Sequence, residues 1–496
     1  MEKKITFLMN KNMVTFRQET FLVPAGCSHF SIRYDLKKEA AFLVFLLLKD
    51  PNGEICFQKQ LGYGEPVIQI GSKGTDTTIG GVPGSVVSGE WTLEIRVFAK
   101  YLDQVLGEEE IPVLFTICDK KAEIQESVGE DVWTDGDFTY VNYDWNKIYS
   151  GSPGWYKGDW HTHTRLSDGK ETTENATRKA GLMKLDYYVP TEHNVIHTGW
   201  KAGELLILPG VEITTEAGHA NIFGIDRMPQ DLISNVSHLT VEEGCEDLRR
   251  ASLEAKRYNW VYSLNHPFLH IWKWEYRDMP LCDIDCLEIV NDPTYQYAGE
   301  ANERAIRLLD LLWQDGYRIT GIGGSDSHNT IEERYPGATE PSIAGDPATW
   351  AYVEELTPKR LLEAIRKGHC YVSRRCRADI FIRGEKRNYL PGDEIRDEAE
   401  VEVELAICDL MEKPVVYVLE DGKKRELPVT FLKEDRTYRA RTGVAWEDGR
   451  YHWFRIGAEG RDGGFLLYTN PLYRGRKEHR FLTYGDILQE MNQYGD

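Results

Sequence analysis

The chain has 496 residues, too many for one ordinary hydrophobic core, so two to four domains are expected. Its apolar content of 41% and charged content of 28% are ordinary globular values. A formal charge of −21 argues against extended nucleic acid as a partner unless a basic patch outweighs the field, and the cationic runs KKEAAF and RKEHR are short and scattered.

The opening stretch, MEKKITFLMNKNMVTF, is interrupted early by charges and asparagine. It reads as neither signal peptide nor transmembrane helix, and no later run reaches ~18 apolar residues, so no membrane association is expected. The nine cysteines are odd in number and form no CxxC pair; Cys282 and Cys286 in CDIDC hint weakly at zinc, and free thiols are preferred. The expected compartment is the reducing cytoplasm. Residues 1–150 read as short strands (HFSIRYDL, AFLVFLLLKD before PNG, GEWTLEIRVFA, IPVLFTI), which predicts a β-sandwich-like domain. An aromatic connection, VWTDGDFTYVNYDWNKIYSGSPGWYKG, follows. Residues 151–380 alternate strand-like runs (DYYVPT, ELLILPGVEI, NWVYSL, DCLEIV, RITGIG) with helical ones, which predicts an α/β domain with a parallel sheet, closed into a barrel or open. Its last helix carries Leu361, Leu362 and Ile365 as a stripe facing the sheet. Residues 381–496 return to strands and predict a second all-β domain ending in a polar tail, RFLTYGDILQEMNQYGD.

The central segment concentrates metal-capable side chains at strand ends. In GDWHTHTRLSDGK, His161 and His163 are two apart, so a strand projects both imidazoles into one space, and Asp168 follows five residues on. DYYVPTEHN ends at His193, LLILPGVEITT delivers Glu212, GHANIFG offers His219, and VYSLNHP ends at His266. GIGGSDSH ends in Asp326 and His328, which repeat the two-residue spacing. Six of the thirteen histidines thus fall at strand ends of one domain, where an α/β barrel gathers its reactive side chains. A structural account needs a separate reason for each; a metal centre needs one.

HTHTRLSDG, TEHN, PGVEIT with GHANIFG, NHP and GGSDSH resemble, in order, the motifs of the PHP (polymerase and histidinol phosphatase) superfamily. The TEHN and GHANIFG wording and the β flanks resemble its CehA/McbA-like metallohydrolase branch. The motif-bearing likeness covers roughly 155–375; the flanks match in general character only. The resemblance implies a distorted seven-stranded β/α barrel with two or three divalent metal ions. One ion would be held by His161, His163, Glu212 and Asp326, and a second by Asp168, His193 and His328. A third would share Glu212 and add His219 and His266. Asp168 stands where some relatives carry histidine and remains a ligand. Nitrogen and oxygen donors without cysteine suit Mn, Zn or Fe.

The expected activity is hydrolysis of a small phosphate mono- or diester by metal-bound hydroxide, with Glu212, Asp326 and His328 central to catalysis. Arg165 is a candidate clamp for a phosphate oxygen. His197 and His270 are candidate general acids, while Asp292 is read as a helix N-cap or proton shuttle. Glu192, Asn194 and Asn265 are candidates to orient ligands, and Arg334 to reach the mouth. The aromatic run HIWKWEYRDM after NHP is either a substrate platform or packing against a β flank. A carboxylic or carbamate ester or amide hydrolase is the alternative, because the resembling branch is associated with carbamate hydrolysis. A glycan- or partner-binding protein is the alternative of another class. The expected partner is a small-molecule ester, and homo-oligomerisation is left open.

Overall fold

Along Ile111–Cys118, and from Ile5 onward in Glu2–Met9, every second residue is buried, the pattern of strands with one face on a core. The computed structural model describes residues 1–10, 16–84, 86–98, 101, 110–446 and 449–493. Residues 11–15 of the opening stretch, Ala99 and 494–496 of the tail therefore lie outside the described residues. Glu2–Met9, Ile111–Cys118, Phe30–Asp35 and Val67–Ile70 form one antiparallel sheet; Phe16–Val23, Gly89–Val97, Val44–Lys49 and Ile55–Gln60 form another. Phe7, Phe30 and Phe115 from the first share a core with Leu46, Trp91 and Leu93 from the second. The rings of Phe30 and Trp91 meet edge to face at 4.9 Å across that core. This module buttresses the central segment. Gln58 Nε2 donates to the Ile196 carbonyl (3.1 Å), the Gln60 N–H donates to the Leu166 carbonyl (3.1 Å), and Lys59 reaches the Arg165 carbonyl.

The central segment is mixed rather than all-parallel. Gly154–Thr162, Tyr187–Pro190 and Leu206–Ile207 run parallel in one sheet. In a second sheet an antiparallel hairpin, Gly210–Thr215 with Gly218–Phe223, joins Val261–Leu264, which runs parallel to Cys286–Asn291 and Thr320–Gly324. Among the described residues these strands do not close into the seven-stranded barrel that the family resemblance implies. Among the described residues, strand pairing between the two sheets is limited to isolated parallel bridges, Thr162 with Ser327 and His193 with Glu212, although their side chains share a core. The reason lies at Gly154–Thr162, whose first five residues pair antiparallel with Ala348–Val353, so only its far end reaches Ser327.

The same antiparallel pairing carries the sheet past residue 380. Ala348–Val353 pairs with Cys370–Ser373, then with Phe465–Thr469, His452–Glu459 and Val415–Glu420, giving a ten-stranded sheet. Arg377–Arg383, Glu400–Cys408 and Thr437–Ala445 form a separate antiparallel sheet that shares a core with it. The segment expected to be a polar tail is a helix, Tyr484–Gln493, whose Tyr484, Ile487 and Met491 are buried in the central core. Their spacing of three and four is helical, and the polar residues between them mask it.

Helices cover the outer faces. Val241–Tyr258 starts with a capping box between Thr240 and Glu243. Pro358–Lys367 starts on a Thr357 cap with proline in its first turn and buries Leu361, Leu362 and Ile365. Ala298–Gln314 is pinned to the C-terminal strands by Arg455, whose guanidinium grips both oxygens of Asp310 at 2.6 and 2.7 Å while only 3% exposed. Arg455→Ala leaves the aspartate without its bidentate partner and is expected to cost about 3–5 kcal/mol of stability in urea denaturation. No helix among the described residues is long and apolar enough to cross a membrane.

Candidate metal centre

The two isolated bridges bring the ligand-bearing loops side by side. The Thr162–Ser327 bridge lies between His161 and His163 on one chain segment and Asp326 and His328 on the other. The His193–Glu212 bridge pairs two more candidates directly. Gly324 permits this approach, because a Cβ there would lie 2.3 Å from His161 Cβ and 2.7 Å from Glu288 Oε1. His266, Asp292 and Asp326 turn off their strand ends at φ of +25°, +28° and +50°, a region that side chains other than glycine seldom enter. Backbone strain of this kind collects at functional sites.

Glu212 is the hub, fully buried. Its Oε1 is 3.2 Å from His161 Nε2, 3.1 Å from His219 Nδ1 and 3.5 Å from His266 Nε2. Its Oε2 is 2.8 Å from His193 Nδ1 and 3.5 Å from His163 Nε2. Asp326 Oδ1 lies 3.0 Å from His163 Nε2 and 3.3 Å from His161 Nε2. Asp168 Oδ1 is 3.2 Å from His328 Nε2 and 3.5 Å from His193 Nε2. All nine candidate ligands therefore converge. Four groups among the described residues have ligand atoms within 4.8 Å of one another: His163, Asp168, His193 and His328; His161, His163 and Glu212; His161, His266 and Glu288; and His193, Glu212 and His219.

These residues fit divalent metal better than they fit one another. His161 Nε2, both ring nitrogens of His163, His266 Nδ1, Glu212 Oε2 and Asp326 Oδ1 are buried with no hydrogen-bond partner among the described residues. Buried polar atoms left this way cost about 1–3 kcal/mol each, so six within one cluster call for a ligand. Burial opposes ionisation of Glu212 and Asp326, yet His161 and the surrounding imidazoles hold both carboxyls well below the usual range. Burial likewise opposes charging of His161, but Asp326, Glu288 and Glu212 outweigh it and raise its pKa. His163 is held down to about 4, by burial and then by His328 and His193.

Glu288 escapes a reading of sequence. It sits inside the apolar run of Cys286–Asn291, 2% exposed, with Oε1 3.0 Å from His161 Nδ1. Its Oε2 accepts from the His266 N–H at 3.0 Å and from Asn291 Nδ2 at 3.1 Å, and Asn291 also reaches Asp326 Oδ2 at 3.3 Å. With a cation held between it and the carboxylates of Glu212 and Asp326, His161 would keep its proton on Nδ1 toward Glu288 and offer the Nε2 lone pair to the metal. Glu288→Gln, whose single oxygen cannot serve both His161 Nδ1 and the His266 N–H with the Asn291 amide, is expected to weaken metal binding by about 10–100-fold in a calorimetric titration.

A cavity of about 250 Å³ opens onto the cluster, with Asp168, His193, His219, His266, Asp326 and His328 on its wall. Trp272, Tyr295 and Tyr335 supply an aromatic side, and no arginine or lysine lines it among the described residues. Three candidates for catalysis are placed off this wall. His197 is buried behind it, with Nε2 2.9 Å from Glu192 Oε1 and its ring 4.8 Å from that of Trp200. Glu192 is itself closed in by the Thr164 and Ser167 N–H groups at 2.9 and 3.2 Å, so this pair braces the opening loop. Arg165 points back along its own loop, its Nε donating to the Lys170 carbonyl at 2.9 Å. His270 is exposed, 5.2 Å from the Tyr297 ring.

Other placements refine the expectations. Asn265 Nδ2 donates to Glu212 Oε1 at 3.0 Å, while Asn194 Nδ2 donates to the Thr214 carbonyl at 2.9 Å. Asp292 is not a helix cap: the helix begins at Ala298 after Tyr297, and Asp292 lines the cavity with Tyr335. The aromatic run divides, Trp272 facing the cavity and Trp274 buried in the core. The residue from the loop after the last motif that lines the cavity is Tyr335, the neighbour of the expected Arg334.

No protein-family model and no curated protein matches the chain. Among solved structures it is similar to a two-domain protein from Bacteroides vulgatus containing a predicted PHP-like metal-dependent phosphoesterase. That likeness has 18% identity and a TM-score of 0.35 over 66% of this chain and 99% of the other. It is also similar to an amidohydrolase from Chromobacterium violaceum with bound sulfate and no metal, at 12% identity and a TM-score of 0.24 over 37% of this chain and 93% of the other.

Proposed function

We propose that the chain is a metal-dependent hydrolase of a small phosphate ester, of the PHP type and its CehA/McbA-like branch. The observation that carries this is Glu212, one buried carboxylate approached by five histidines within 3.5 Å while its Oε2 lacks a hydrogen-bond partner among the described residues. Divalent ions bound there would activate water near neutral pH and neutralise charge on the ester oxygens. The chain's own residues do the rest. Glu212 and Asp326 form a floor, Glu288 and Asn265 fix the orientation of ligands, and the aromatic side excludes water from a cavity sized for one small ligand. That size, with the charge of −21, supports a small-molecule substrate over extended nucleic acid.

A second reading, hydrolysis of an aryl carbamate or carboxylic ester, is favoured by one observation: the wall pairs aromatic rings with no basic side chain among its described residues. Rates of the Mn²⁺-loaded protein on bis-p-nitrophenyl phosphate, p-nitrophenyl phosphate and 1-naphthyl N-methylcarbamate separate the two, with Glu212→Gln as control. Control-sensitive turnover of either phosphate supports the first reading. Turnover of the carbamate alone moves the assignment to the second, and turnover of none overturns both.

A further inference from the structure

We propose that Asp292, held by Tyr335, is the acid that protonates the departing oxygen of the substrate. The inference rests on the hydrolase reading and adds a residue to it. Three carboxyls line the cavity among the described residues, Asp168, Asp292 and Asp326. Asp168 and Asp326 are each within 3.5 Å of two or more imidazoles and belong to the metal cluster. Asp292 stands apart from every group of candidate ligands among the described residues.

Asp292 is nonetheless built in with care. Its backbone leaves Cys286–Asn291 at a φ of +28°, and its N–H bonds to the Gly324 carbonyl at 3.4 Å. The Tyr335 hydroxyl donates to its Oδ2 at 2.6 Å and the Thr294 hydroxyl to its Oδ1 at 3.0 Å. Tyr335 in turn packs edge-on against Tyr295, with 5.3 Å between ring centroids. A strained backbone and two side chains thus hold one carboxyl on the wall of the cavity that opens onto the candidate metal ligands. Solubility needs none of this, and the carboxyl is only 5% exposed. The two histidines expected to supply a proton, His197 and His270, are both off the wall.

The chemistry balances as follows. The oxygen of a water molecule attacks phosphorus and forms a P–O bond, and the bond to the leaving oxygen breaks with its electron pair on that oxygen. The proton on the Asp292 carboxyl moves to the leaving oxygen, giving a neutral alcohol or phenol and an Asp292 carboxylate steadied by Tyr335 and Thr294. The attacking water loses its proton to solvent, and Asp292 takes one back before the next turnover. Such an acid matters most when the leaving group is a poor one, because a stable phenolate departs without help.

The test is a leaving-group series on the full-length Mn²⁺-loaded protein, using 4-nitrophenyl, phenyl and 4-methoxyphenyl esters of whichever class the wild type hydrolyses. Asp292→Asn is expected to fall about 5-fold with 4-nitrophenol as leaving group and about 10²–10³-fold with phenol. The dependence of rate on leaving-group pKa steepens accordingly. Metal content by mass spectrometry and the melting temperature stay at wild-type values. Tyr335→Phe is expected to show the same steepening at about a tenth of the size, and it decides the matter if Asp292→Asn does not fold. Equal losses across the series, or loss of bound metal, would overturn the acid role while leaving Glu212-dependent turnover intact. A wild type inactive on every ester would remove the hydrolase reading and this role with it.

Discussion

Replacing Glu212 with glutamine is expected to lower ester turnover by about 10³-fold or more, roughly 4 kcal/mol of transition-state stabilisation. Glutamine keeps the shape of the side chain and removes its charge. One oxygen becomes an amide nitrogen whose hydrogens would point at imidazoles or at a cation. On either side the loss is large: Oε1 faces His161, His219 and His266, and Oε2 faces His163 and His193. The fold has separate support at this position, since the Glu212 N–H donates to the Glu192 carbonyl at 3.1 Å and its carbonyl accepts from the Asn194 N–H at 2.9 Å. Circular dichroism should therefore be unchanged while bound metal falls by at least one ion per chain. A variant that kept wild-type turnover and metal content would mean that the centre does not depend on Glu212.

The candidate ligands were legible in sequence because they are polar residues on, or just beyond, apolar strands, places where neither core packing nor solvent explains them. Their partners were less so. Glu288 lies in LEIV, where it reads as an ordinary strand position, and its purpose appears only when Gly324 lets His161 approach. Tyr335 lies on an irregular loop with no period to orient it, so Arg334 beside it looked the better candidate. Asp292 in NDPT carries the signature of a helix cap, but a turn intervenes before Ala298. His197 and His270 lie close to the motifs in sequence, but nearness along the chain does not fix which side of a strand end faces the cavity. The same limit applies to the fold: alternation of strands and helices does not distinguish parallel pairing from the hairpin at Gly210–Phe223. Nor does it show that Ala348–Val353 takes the edge that a closed barrel would use.

Chelation of divalent ions is expected both to abolish turnover and to loosen the fold, and the second effect follows from how the central sheets meet. Thr162 with Ser327 and His193 with Glu212 are isolated bridges, so little backbone pairing ties the two sheets at the cluster. The candidate ligands come from both sides of that seam: His161, His163, Asp168 and His193 lie on or just after strands of one sheet, while Glu212, His219, His266, Asp326 and His328 lie on or just after strands of the other. Cations held there would clamp the sheets together and offset the burial of Glu212 and Asp326. Ions that bind only the folded state add about 2.7 kcal/mol when free metal is a hundredfold above the dissociation constant, and about 4.1 kcal/mol at a thousandfold. The melting temperature should therefore fall on chelation and recover with added Mn²⁺, Zn²⁺ or Fe²⁺. Glu212→Gln should show a much smaller metal-dependent shift, because it removes the one carboxylate that faces five of the histidines. A chelated protein that melts with the untreated one would show that the seam holds by packing alone, and that the cluster contributes nothing to joining the two sheets.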